Sequence, residues 1–280
     1  MSRVHPIVLV ALLAANLPAT AEEAARYRRA DGSSVNAAVL DAGGSGCAPL
    51  AIISHGLGGS SNGNRPLAEA LRSAGYRVVL PSHAESGPHL LMAAMRSPNR
   101  LAGVAAAAGD PTAHRARQAD LDAILAVEER RCPVPHKVLG GHSIGARETL
   151  VEAGARNAAG IAGRDRFDAY IAVSAQGEGT DFFPSGAMSS IRKPVIIITG
   201  TEDRSVDGGF ETRISTFTSL PPGKKRLAII DGANHAELGG RDRGSVGETV
   251  GALAAEFARQ VRPGPWGTAQ PRRGVQLREK

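Results

Sequence analysis

Apolar residues in this chain come in short continuous runs, separated by stretches about one helix long. That alternation predicts a parallel sheet flanked by helices. Leu50–Ser54 (LAIIS), Tyr76–Leu80 (YRVVL), Lys137–Gly141 (KVLGG), Ala169–Val173 (AYIAV), Val195–Thr199 (VIIIT) and Leu227–Ile230 (LAII) read as strands. Runs this apolar belong to strands buried on both faces. Pro81 is expected to end the second of them. Residues 25–42 read as two short strands around the turn Asp31-Gly32. Helices are expected over 64–74, 115–130, 144–156, 209–219 and 246–261. The pattern gives about eight strands in one α/β domain, placed at residues 22–262.

Three stretches fall outside this alternation. Residues 82–114 form the longest connection and are the best candidate for an excursion over a functional site. Within it, Met92 and Met95 lie on one apolar helical stripe and are expected to pack into the core. Residues 263–280 carry Pro263 and Pro265 and no apolar periodicity, so a disordered tail is expected there. Residues 1–21 read as a signal peptide. Arg3 supplies the positive start, Ile7–Leu17 is an apolar stretch of 11 residues, and Ala19-Thr20-Ala21 is an A-x-A cleavage site. Eleven residues are too few to span a bilayer, which takes about 20, and no other stretch is long enough. A periplasmic or secreted protein without a transmembrane segment is expected.

Composition narrows the chemistry. Two cysteines exclude a zinc ribbon and a Cys-rich scaffold. The net charge of +6 first points to an anionic partner. Its distribution removes most of that signal. Arg3 carries one charge and residues 262–280 a net +4, which leaves +1 over residues 22–261. Aromatics are only 4%, too few for base stacking along a single strand. No nucleic-acid partner is expected, and the tail is left as a weak contact for an anionic surface.

Four features carry chemistry. Gly141-His142-Ser143-Ile144-Gly145 matches G-x-S-x-G, after an apolar strand and before a helical stretch. That strand–turn–helix setting exposes a serine as a nucleophile. The competing reading is a serine capping a helix, with glycines for close packing. Ser54-His55-Gly56-Leu57-Gly58-Gly59 follows the strand 50–54. A Gly-rich loop there can aim a backbone N–H at a developing oxyanion. The expected donors are the N–H groups of Leu57 and Ile144, and His55 is read as a structural part of the loop. Asp203 follows VIIIT at the strand edge where sites form, with Glu202 and Asp207 as competitors. His235 lies just past LAII, where an imidazole suits a general base. The remaining histidines, His142 included, read as structural or exposed. The order Ser143, Asp203, His235, each after a different strand, is that of the α/β-hydrolase triad. The arrangement calls for no metal and no organic cofactor. Gln176, Phe182 and Phe183, after the strand 169–173, are candidate substrate-binding residues.

The chain resembles the α/β-hydrolase superfamily. More closely, it is similar to bacterial proteins labelled predicted dienelactone hydrolases, to platelet-activating-factor acetylhydrolases and to cutinase-like polyester hydrolases. The resemblance rests on PLAIISHGLGGSSNG (49–63), GYRVVLPSH (75–83), VLGGHSIGARETL (138–150), AVSAQGEG (172–179), PVIIITGTEDRSV (194–206) and LAIIDGANHAEL (227–238). It implies a mostly parallel sheet flanked by helices and a serine esterase acting on a small-molecule or lipid ester. A lipase, phospholipid deacylase or polyesterase is the alternative on the same scaffold. A non-catalytic binding protein of this fold is a third reading. Dienelactone hydrolases use a Cys nucleophile where this chain has Ser143, so lactone chemistry does not follow. In the fold it resembles, the strands after Cys47 and Cys132 are neighbours, and export permits a disulfide between them.

Overall fold

The computed structural model describes residues 22–43, 46–241, 244–263 and 266–280; the signal peptide expected over 1–21 lies outside the described residues. The described strands are β1 (Glu22–Arg28), β2 (Ser34–Leu40), β3 (Leu50–Ser54), β4 (Arg77–Ser82), β5 (Lys137–His142), β6 (Ala169–Val173), β7 (Val195–Glu202), β8 (Lys225–Asn234) and β9 (Val275–Glu279). They form one sheet in the order β1-β2-β4-β3-β5-β6-β7-β8-β9. The strands from β4 to β8 in that order pair parallel. The β1–β2, β2–β4 and β8–β9 pairs are antiparallel. The helices are α1 (Arg65–Ser73), α2 (Pro88–Met95), α3 (Arg100–Gly109), α4 (Pro111–Arg131), α5 (Ile144–Glu152), α6 (Phe210–Ser219), α7 (His235–Leu238) and α8 (Ser245–Gln260).

Successive strand residues face opposite sides of a sheet, so the continuous apolar runs feed two cores. Ile52, Leu139, Ile197 and Leu227 pack with Leu121 and Ile124 of α4 and Leu150 of α5. Their neighbours Ile53, Val138, Ile196 and Ala228 pack with Leu67 and Leu71 of α1 and Leu253 and Phe257 of α8. Helices α1 and α8 approach closely at Gly251, where a Cβ would crowd the Pro66 carbonyl.

Several expectations are corrected. Strand β4 runs through Pro81 to Ser82. Its pairing with β3 is already over at Val79, so the missing N–H costs no bond on that side. Helix α4 starts at Pro111 rather than 115, because Asp110 caps it by accepting from the Thr112 N–H. The stretch 82–114 contains α2 and α3. Met92 and Met95 are not in the core: they are 56% and 45% exposed. Helix α2 turns Ala94 inward, where Gly103 of α3 lets the two backbones close up.

The C-terminal segment is ordered, not a loose tail. Val275 and Leu277, two residues apart, pack against the core beside Trp266 while β9 pairs with β8. Arg226 stacks 4.8 Å over the Trp266 ring and donates to Glu279 at 2.7 Å. Arg272 pairs with Glu256 at 3.0 Å, and Lys280 donates to the Thr218 carbonyl at 2.8 Å. Part of the basic charge read as a free tail is therefore spent inside the fold.

Cys47, before β3, and Cys132, after α4, form a disulfide with Cα atoms 5.7 Å apart across a sequence separation of 85. In the chain-entropy account such a loop contributes about 4 kcal/mol. Denatured, unreduced protein is expected to show no free thiol with Ellman's reagent. Reduction is expected to lower the urea midpoint substantially, and an unchanged midpoint would show that the bond contributes nothing.

Candidate active site

The end of β5 turns directly into α5, and Ser143 sits on the turn with φ 57° and ψ −119°. A non-glycine residue in that region is strained and is held there by its surroundings. The Ser143 N–H donates to the Val173 carbonyl at 3.0 Å, and its carbonyl accepts from the Arg147 N–H at 2.9 Å. Both motif glycines are sterically required. A Cβ on Gly141 would collide with Gly145 and with the Ser54 carbonyl, and one on Gly145 would collide with the same carbonyl. The turn therefore rests on the end of β3, where the Gly-rich loop begins.

Three loops converge above this turn. His235 opens α7, whose start is fixed by a capping box between Asn234 and Glu237. Its Nε2 lies 3.1 Å from Ser143 Oγ, and its Nδ1 lies 2.9 Å from Asp203 Oδ1. Asp203 is fully buried just past β7. It accepts from Thr199 Oγ1 and Ser174 Oγ, each at 2.8 Å, and Arg213 Nε stands 3.7 Å away. Burial opposes its ionisation, but the His235 hydrogen bond and the Arg213 charge outweigh that and hold the carboxyl below its ordinary range. The competitors do not reach His235. Glu202 is exposed at the strand end, and Asp207 is held 2.8 Å from Arg213.

Leu57 and Ile144 both border the site. Ile144 is the first residue of α5, where N–H groups lack intrahelical acceptors. Leu57 lines a cavity of about 500 Å³ that opens over Ser143 and His235, with Leu91 of α2 and Val104 and Ala108 of α3 on its walls. Residues 82–114 thus do lie over the site. The three candidate substrate-binding residues do not line this cavity. Gln176 and Phe182 line a second cavity of about 450 Å³, beneath the Arg147 guanidinium, and Phe183 is wholly enclosed in the core. The loop after the strand 169–173 starts at the site, with Ser174 against His235, but its later residues line the second cavity or the core, which sequence order alone does not show.

Four residues that the motifs did not single out hold the site together. Ser174, at positive φ after β6, places its Oγ 2.8 Å from both Asp203 Oδ1 and His235 Nδ1. His142 Nε2–H donates to the His235 carbonyl at 2.8 Å, with burial pushing its own imidazole down to about 3. Arg117, fully buried on α4, donates to the His55 carbonyl at 2.9 Å and to Ser86 Oγ at 3.0 Å, and meets Glu148 of α5 at 3.3 Å. His83 bonds Ser54 Oγ at 3.0 Å and Asp120 at 2.8 Å, and its N–H donates to His55 Nε2 at 3.0 Å. His55 is a structural member of the loop, its imidazole pushed down to about 2 by burial and by the Arg117 charge.

No protein-family model matches this chain, and no curated protein sequence matches it either. Solved structures do. The chain is similar to the esterase domain of a Rhodothermus marinus protein, at 16% identity and a TM-score of 0.58, over 85% of this chain and 98% of that one. It is similar to a dienelactone hydrolase from Anabaena variabilis, at 19% identity and 0.60, over 85% and 96%. It is also similar to an alpha-beta serine hydrolase homologue from Coxiella burnetii, at 19% and 0.57, over 85% and 96%. The chain has the α/β-hydrolase fold.

The close packing at the turn makes a direct prediction. Gly145→Ala is expected to cost about 2 kcal/mol or more, as overpacking against backbone does. Gly109→Ala, whose Cβ meets open space, is expected to leave the urea midpoint nearly unchanged. Equal midpoints for the two variants would contradict this account of the elbow.

Proposed function

We propose that the protein is an exported carboxylic-ester hydrolase working through an acyl-enzyme on Ser143. One observation carries the reading: the hydrogen-bonded chain from Ser143 through His235 to Asp203 lies at the floor of an open, largely apolar cavity. His235 takes the Ser143 proton as Oγ attacks the ester carbonyl carbon, and the tetrahedral intermediate forms. The N–H groups of Leu57 and Ile144 stabilise its oxyanion. On collapse the C–O bond to the alcohol breaks, and His235 returns the proton to the leaving oxygen. A water, deprotonated by His235, then attacks the acyl carbon and frees the acid with Ser143 restored. Asp203 keeps the Nδ1–H tautomer and offsets the imidazolium charge. Ser174 and His142 position the ring from its two sides. The expected leader and the disulfide support export to an oxidising compartment.

The same chemistry serves a soluble ester, a glyceride, a phospholipid or a polyester. Chain-length profiles with soluble and emulsified esters separate these. Ser143→Ala is expected to abolish p-nitrophenyl acetate hydrolysis and fluorophosphonate labelling with an unchanged circular dichroism spectrum. Full activity in that variant would overturn the reading. Asp203→Asn is expected to lower kcat by about 10⁴, while Asp207→Asn costs far less; the reverse order would reassign the acid.

A further inference from the structure

The exposed apolar side chains of this protein are not scattered. Among the described residues, four large hydrophobics are exposed, and three of them lie on the helical pair α2–α3: Met92 at 56%, Met95 at 45% and Leu101 at 65%. Single exposed hydrophobics need no explanation, but a cluster on one pair of helices does. The pair is also one-signed. Residues 87–109 contain Arg96 and Arg100 and no carboxylate. The flanking acids are already occupied: Glu85 is clamped by Arg29 at 2.9 Å, and Asp110 caps α4. Arg96 and Arg100 are exposed and make no ion pair among the described residues.

Helical geometry places this patch beside the cavity. Residues separated by one or three positions differ by about 100° or 60° around a helix axis. Leu91 lines the cavity and lies against Gly58 of the Gly-rich loop, so Met92 and Met95 occupy the adjoining face of α2, turned to solvent. Val104 lines the cavity on α3, and Leu101 stands one turn earlier beside it. Arg204, exposed and without an ion pair among the described residues, lines the same cavity. No carboxylate is among the described residues that line it.

We propose that the α2–α3 pair docks the protein on an anionic lipid surface, with the mouth of the Ser143 cavity against the headgroups. The apolar side chains insert at the headgroup–acyl boundary, and Arg96, Arg100 and Arg204 meet the negative charges around them. The mixture of Met, Leu and Arg without acids distinguishes this occupant from a neutral oil droplet or a second copy of the chain, which would offer the same positive charge. The proposal rests on the esterase reading only for what becomes of the lipid, which then presents its ester to Ser143.

The docking test uses the full chain carrying Ser143→Ala, so that binding is measured apart from turnover. This protein is expected to co-sediment with vesicles of equal parts phosphatidylcholine and phosphatidylglycerol, and to be released by salt. The triple variant Met92→Ser, Met95→Ser, Leu101→Ser on the same background is expected to bind at least about tenfold more weakly. With Ser143 intact, the triple variant is expected to hydrolyse p-nitrophenyl acetate as the parent does. Should it fail to fold, Arg96→Glu with Arg100→Glu carries the test and is expected to abolish binding to the same vesicles. Absence of co-sedimentation by the parent, equal binding to pure phosphatidylcholine vesicles, or undiminished binding by the variants would each overturn the proposal. Ester hydrolysis that survives Ser143→Ala would instead overturn the esterase reading and leave the docking result standing.

Discussion

Helix α5 can begin where it does only because two side chains are missing. Any Cβ at Gly141 or Gly145 would occupy the space of the Ser54 carbonyl or of the turn itself. With both absent, the turn closes onto the end of β3 and carries Ser143 to φ 57°. Backbone strain of this kind costs on the order of 1–3 kcal/mol and persists only where the surroundings over-determine it. Here the determinants are backbone: the Val173 carbonyl on one side and the first turn of α5 on the other. The same contact fixes the Gly-rich loop, which leaves β3 at Ser54. Ser143 and the proposed oxyanion donor are thus placed by one steric event rather than by two independent loops.

A second layer keeps that loop in place. Arg117 reaches three elements at once: the His55 carbonyl, Ser86 and Glu148 of α5. Ser86 in turn accepts from the Gly58 N–H at 2.9 Å. Burial of this many charges is not a stability device, because desolvation consumes most of the Coulombic gain. Burial pushes Glu148 up to about 7 and Asp120 up to about 6, against the pull of the arginines beside them. What the network supplies is direction. Guanidinium forks hold a backbone carbonyl at a set angle, which apolar packing cannot do.

The sheet and the Ser143, Asp203 and His235 positions were legible because each leaves a local signal. Continuous apolar runs mark strands buried on both faces, and a Gly-flanked serine or a lone His just past such a run marks a strand edge. The legibility failed where a residue's role depends on its partner rather than on its neighbours. Ser174 is one more serine until β6 and β7 are laid side by side and its Oγ falls between Asp203 and His235. Arg117 reads as part of an ordinary charged helix, yet it is wholly enclosed. Phe182 and Phe183 follow a strand that does reach the site, but neither lines the cavity above Ser143. The C-terminal strand was missed for another reason. Its Val-Gln-Leu alternation is three residues long, and the prolines and arginines before it outweigh that signal in any composition-based reading.

The molecule contains a second Ser–His–Asp chain, and the contrast between the two isolates what sets the Ser143 chain apart. Ser54 Oγ lies 3.0 Å from His83 Nε2, and His83 Nδ1 lies 2.8 Å from Asp120, distances as good as those around His235. Composition and geometry therefore do not distinguish the two. Access does. Ser54, His83 and Asp120 are all enclosed, and none of the three lines the cavity above Ser143. Burial and the charges of Arg117 and Arg29 hold the His83 imidazole well below its usual range, so it stays neutral and does not collect a proton. Its hydrogen bonds go to structure: one end ties β3, the other ties α4, and its own N–H ties the loop at His55. The His235 chain has an equally buried acid but a partly exposed ring and a serine facing open space. What sets the His235 chain apart is that its serine end is released from the core. In this fold that release is the work of the Gly141–Gly145 turn.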